Sequence, residues 1–106
     1  MKRMTLNYYQ DPGHGWVKVG LQTLVDLGIH DKITRYSYVR KNHAYLEEDC
    51  DLGLLFKVCN AKGIKIVLRE HHTNKSSKIR AYQNYSKYEE AEKFIKDHFQ
   101  FVHIGG

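Results

Sequence analysis

Two glycine–isoleucine pairs, Gly28-Ile29 and Gly63-Ile64, set the frame for what this chain can fold into. Each follows a stretch of helical periodicity. The pattern marks a helix that ends on a left-handed residue whose successor packs back onto the last turn. Upstream of Gly28, Leu21, Leu24, Val25 and Leu27 give a helix over about residues 20–28. Upstream of Gly63, Leu52, Leu55, Phe56 and Cys59 fall at i, i+3, i+4 and i+7, the period of a core-facing stripe. Asp49 or Asp51 is placed to cap that helix through its carboxylate. Ser86-Lys87-Tyr88-Glu89 is a capping box opening a third helix, with Ala91, Phe94, Ile95 and His98 along its inner face.

The segments between these helices alternate as strands do. Leu6 with Tyr8 and Val17 with Val19 mark a first pair, turned by Asp11-Pro12-Gly13-His14-Gly15. Residues 33–40 and 44–48 make a second pair around Lys41-Asn42-His43. Ile64, Ile66 and Leu68 share one face of a fifth strand, and Ile79 and Ala81 suggest a sixth. The order is a hairpin followed by a helix, three times over. With 106 residues the chain holds one core, so residues 1–106 are read as one compact domain. The expected fold class is α+β: a mostly antiparallel sheet built from β-hairpins, with about three helices packed on one face in ββα-type units. Phe56 and Leu68 are expected in its core.

Composition excludes more than it names. At 42% hydrophobic and 27% charged the chain is ordinary globular protein. No apolar run approaches the ~20 residues of a membrane helix, and the N-terminus lacks the pattern of a signal peptide. The expectation is a cytoplasmic protein without a membrane partner. Cys50 and Cys59 are nine residues apart on one helix, hence ~13 Å apart along its axis, too far for a disulfide. Cys59 is expected in the core, and Cys50, near a helix start, as a slightly acidified thiol. Lys and Arg number 17 against 12 Asp and Glu, a net charge of +5 that points to an anionic partner. Residues 64–87 alone carry a balance of +5, equal to the whole chain's.

If the valines, leucines and isoleucines of the strands face the core, period-2 alternation turns Trp16, Lys18, Tyr45, Lys65 and Arg69 outward. Tyr36, Tyr38 and Arg40 share a face of the third strand, and Arg80 and Tyr82 one of the sixth. An uncovered sheet face of rings and cations suits bases and phosphates. The loop Arg69–Lys78 adds cations, hydroxyls and amides fit to clamp a phosphate. The candidate ligand-binding residues are therefore His14, Trp16, Tyr36, Tyr38, Arg40, Arg69, His71, Lys75, Lys78 and Arg80. No cofactor and no metal site are expected. His71 and His72 are adjacent and point apart on a strand, and no His-x₃-His or Cys-x₂-Cys spacing occurs. The acidic run Glu47–Asp51 reads as a helix start favoured by the dipole rather than as a Mg²⁺ site.

The strings Asp11–Trp16, Tyr45–Asp51 and Arg69–Ser77 resemble a family of small proteins from phages and other mobile elements, over roughly residues 7–85. The resemblance carries no residue roles over. It implies a context: short basic proteins of such elements bind nucleic acid, block a host defence complex or sequester a nucleotide signal. Three readings follow. The first is a non-enzymatic binder of an anionic, nucleotide-like ligand, nucleic acid or small nucleotide, in the host cytosol and serving counter-defence. The second is an inhibitor docked on a host protein through exposed aromatics. The third is a phosphate-ester enzyme with His14 or His71 as general acid–base. Homo-oligomers are compatible with all three.

Overall fold

Residues 2–85 are described by the structure, a computed structural model. The elements run β1 (Lys2–Gln10), β2 (Gly15–Gly20), α1 (Leu21–Asp26), β3 (Tyr38–Arg40), β4 (His43–Glu47), α2 (Leu52–Ala61) and β5 (Ile64–His72). A single-turn 3₁₀ helix (Lys78–Ala81) and a short β6 (Gln83–Asn84) follow. All six strands belong to one sheet, in the order β5-β1-β2-β4-β3-β6. Only β1 with β5 is parallel; the other pairings are antiparallel. The fold is thus α+β on a mostly antiparallel sheet. The capping box read at Ser86 and the third helix expected from it lie outside the described residues.

Both helix ends form where the glycines sit. Gly28 and Gly63 have φ of 74° and 70°, the left-handed region where a side chain is costly. At the first, Ile29 N–H donates to Leu24 O (3.0 Å) and Gly28 N–H to Val25 O (3.0 Å), which satisfies two terminal carbonyls. Ile29 then enters the core beside Leu24. Asp51 does occupy the N-cap position of α2, but its carboxylate makes no capping bond there. It instead accepts from Thr34 N (3.0 Å), Thr34 Oγ1 (2.8 Å) and Ser37 Oγ. Those bonds tie residues 34–37 into turns, so the expected strand over residues 33–40 shrinks to Tyr38–Arg40.

One face of the sheet packs under α1 and α2. Tyr8, Val17, Val19, Val39, Ala44 and Leu46 meet Leu21, Leu24, Leu52, Leu55 and Cys59 there, with Ile64, Ile66 and Leu68 alongside. Phe56 departs from expectation: it is 40% exposed, while Leu52, Leu55 and Cys59 alone carry the buried stripe of α2. Leu68 is partly buried against the core. The third unit is not a hairpin either. The fifth strand crosses back to lie parallel to β1, from Lys2 opposite Ile64 to Gln10 opposite His72. The expected sixth strand at Ile79–Ala81 is the 3₁₀ turn, started by Ser77, whose Oγ accepts from Ile79 N.

That turn changes the second face. Trp16, Tyr45 and Ile79 form a separate buried cluster there, with Tyr9, Tyr38 and Tyr82 packed around it. The face expected to be open is therefore partly roofed by residues 77–82. No helix among the described residues is long and apolar enough to cross a membrane.

Candidate functional site

The roof is held by one carboxylate. Asp11, at the end of β1, accepts from Gly13 N (3.0 Å) and His14 N (2.9 Å), which closes the turn into β2. It also accepts from Ser77 N (2.9 Å), Arg80 Nε (2.6 Å) and an Arg80 terminal nitrogen (2.9 Å). The side chain is 1% exposed. The Arg80 guanidinium, bound in a two-pronged geometry, and the three backbone donors hold this carboxyl well below the usual carboxylate range against the opposing effect of burial. Arg80 also lies over the Trp16 ring, 5.3 Å from its centroid. Its charge is committed to the scaffold.

Between the roof and the sheet is a half-open cavity of about 370 Å³. Among the described residues, its walls carry four cations, Lys18 from β2, Arg40 from β3, Lys41 from the β3–β4 turn and Lys78 from the roof, and no carboxylate. Tyr9, Tyr45 and Tyr82 supply aromatic walls, and His43, Ser77 and Ile79 complete them. The sheet register assembles this set: Lys18 stands opposite Tyr45, and Arg40 opposite His43. Tyr45 and Tyr82 rings are 5.0 Å apart and tilted, and Arg40 lies 5.0 Å from the Tyr82 centroid. Lys41 adopts φ of 55°, a left-handed conformation uncommon for a side-chain-bearing residue.

The cavity's titratable groups show the same imbalance. Burial, reinforced by the Lys18 charge, lowers the His43 pKa below its ordinary value, so the pocket resists a further cation. Burial chiefly pushes the Tyr45 hydroxyl up to about 12, leaving it a neutral donor at neutral pH. Cations, hydroxyl donors and ring faces converge on a space to which the described residues contribute no negative group. Such a space favours an anion carrying a flat apolar part.

The residues expected from sequence divide. Arg40 and Lys78 line the cavity. Tyr38 packs edge-on to Trp16 at 6.1 Å, beneath the roof. Trp16 is 2% exposed and presents no face for stacking, because Ile79 and Arg80 cover it. Arg80 is taken by Asp11, a correction to its reading as a free surface cation. Tyr36 is 62% exposed but sits on the 34–37 turns rather than on a strand. Arg69 and Lys75 are exposed on and after β5, outside the cavity lining. His71 stacks on Tyr9 at 4.9 Å, with Nε2 3.1 Å from Asn7 Oδ1. His14 lies with its Nδ1 3.3 Å from Glu47 Oε1, and it too is absent from the lining. Cys50 is exposed, yet desolvation and the Glu47 carboxylate raise its thiol pKa, the reverse of the expected acidification.

Lys18, Tyr45 and Tyr82 stood at outward positions in the alternation, whereas Lys41 and His43 carried no signal beyond membership of a turn. A larger hollow of about 590 Å³ lies between α2 and β5, beside Phe56, Lys57 and Lys65. Its size exceeds the cavity's, but its wall brings together fewer charged and aromatic groups. Comparison with protein families, with curated proteins and with solved structures finds no match to this chain.

Proposed function

We propose that this protein binds a small phosphate-bearing, nucleotide-like ligand in the cavity beneath the 3₁₀ turn. The observation that carries the reading is the wall itself: Lys18, Arg40, Lys41 and Lys78 around Tyr9, Tyr45 and Tyr82, with no carboxylate among the described residues. In this reading Arg40 and the lysines meet the phosphate oxygens, and the tyrosine rings face the base. The volume of about 370 Å³ falls in the range of small-molecule pockets (~300–1,000 Å³), which favours a mononucleotide-sized ligand over a polynucleotide. Neither His14 nor His71 lines the cavity, which counts against either as general acid–base at a phosphate held there. The mobile-element context belongs to the same proposal: a protein of this kind would sequester a nucleotide signal of its host as counter-defence.

A thermal-shift panel of nucleosides, nucleoside phosphates and cyclic nucleotides tests the reading. Phosphate-bearing members should raise Tm in a concentration-dependent way while the matching nucleosides do not. No shift by any member, together with a shift by oligonucleotides that vanishes in salt, would move the function to nucleic-acid binding.

A further inference from the structure

We propose that His14, Glu47 and Asp49 form a site for one divalent transition-metal ion of the Zn²⁺ type. A ligand atom of each lies within 4.8 Å of the other two. His14 Nδ1 and Glu47 Oε1 are 3.3 Å apart. Metal–ligand bonds of about 2.0–2.2 Å place neighbouring donors about 3–4 Å from one another, so a small swing of the exposed Asp49 side chain closes the set. The donors come from two turns and a strand end: His14 from the turn between β1 and β2, Glu47 from the last position of β4, and Asp49 from the turn that joins β4 to α2.

The two turns are fixed beside each other. Glu48 N donates to Gly15 O (3.0 Å) and Asp51 N to Glu47 O (3.0 Å). The His14 backbone is pinned by Asp11 Oδ1 (2.9 Å). Glu47 Oε2 accepts from Asp49 N (2.8 Å), which leaves Oε1 facing the imidazole. The Glu47 side chain is only 8% exposed. Among the described residues no Lys or Arg lies within ion-pair distance of Glu47, Glu48, Asp49 or Asp51. Glu48 and Asp51 rest on neutral hydroxyl and amide donors, from Tyr8, Thr34 and Ser37. Among the described residues the buried Glu47 carboxylate has no Lys or Arg partner, and the imidazole turned onto it is what an acidic helix start alone does not provide.

One nitrogen and two carboxylate donors select the ion. Ca²⁺ takes six to eight oxygens and Mg²⁺ keeps its waters in an oxygen shell, whereas imidazole with carboxylate suits Zn²⁺ and its neighbours. The site shares no residue with the cation-lined cavity and stands independently of the function proposed there.

Titration of the whole chain with ZnCl₂ in excess MgCl₂, followed by calorimetry, tests the proposal. Trp16, the chain's single tryptophan, gives a second readout, since its ring lies 6.1 Å from that of His14. One equivalent should bind with a change in Trp16 fluorescence. His14→Ala and Asp49→Asn, both at exposed side chains, should each weaken binding about tenfold or more and abolish the fluorescence change. Glu47 is left intact because its burial ties it to folding. Absence of saturable Zn²⁺ binding overturns the proposal, and so does binding whose affinity is unaltered in either variant that remains folded by circular dichroism.

Discussion

Asp11 and Arg80 make the sharpest residue-scale case. A buried carboxylate that loses its guanidinium is left with charge and no cation, so Arg80→Ala should lower Tm by roughly 5 °C or more, unlike an ordinary surface substitution. Acid gives the signature. Because the folded-state Asp11 carboxyl titrates below its unfolded value, the folded protein binds fewer protons there. The stability this contributes is complete above about pH 4 and is lost as the pH falls below it. The Tm gap between the natural chain and Arg80→Ala should therefore narrow on acidification; melts at a series of pH values check this. Gly15 is a second test. A Cβ there would overlap the Tyr8 hydroxyl, which is held against Glu48. Gly15→Ala should cost about 1–3 kcal/mol in a denaturant titration. The sequence marks Asp11–Gly15 as a turn and Arg80 as a cation. It could not give their roles, because the partner of Arg80 lies 69 positions away and only the folded register brings the two together.

At the scale of elements, local signals held where local physics decides. The glycine ends of α1 and α2 need only a left-handed residue and an apolar successor, and both form as the pattern requires. Strands β1, β2, β4 and β5 follow their alternation. Phe56 shows the limit. It fits the helical period of Leu52 and Leu55, but α2 meets the sheet along a stripe too narrow to include it. Leu55→Ala should accordingly cost about 2–5 kcal/mol, and Phe56→Ala less than half as much, by equilibrium unfolding. Equal losses would contradict the packing described. The parallel return of β5 and the 3₁₀ turn were not legible for a related reason. Ile64, Ile66 and Leu68 specify a face but not a neighbour, and a lone Ile79 among polar residues looks alike in a strand or a turn.

At the scale of the molecule, the sheet has an apolar face for the helices and a face of rings and cations, as the alternation implied. What the alternation could not show is that residues 77–82 fold over the second face. That roof buries Trp16 and turns the remaining tyrosines and cations into the walls of a cavity. The basic segment 64–87 also divides by role: Lys78 joins the cavity, Arg80 braces it, and Arg69 and Lys75 stay outside its lining. Under the proposed function, the positions of the cations, rather than their number, create the binding site. Calorimetric titration of the best-binding nucleoside phosphate into two charge-matched variants tests it most directly. Lys18→Ala with Arg40→Ala removes two cavity cations, and Arg69→Ala with Lys75→Ala removes two outside it. Charge-assisted hydrogen bonds contribute about 1.5–3 kcal/mol each, so the cavity pair should lose tenfold or more in affinity while the outer pair stays within about twofold. Equal losses in the two variants, or a greater loss in the outer pair, would contradict the account.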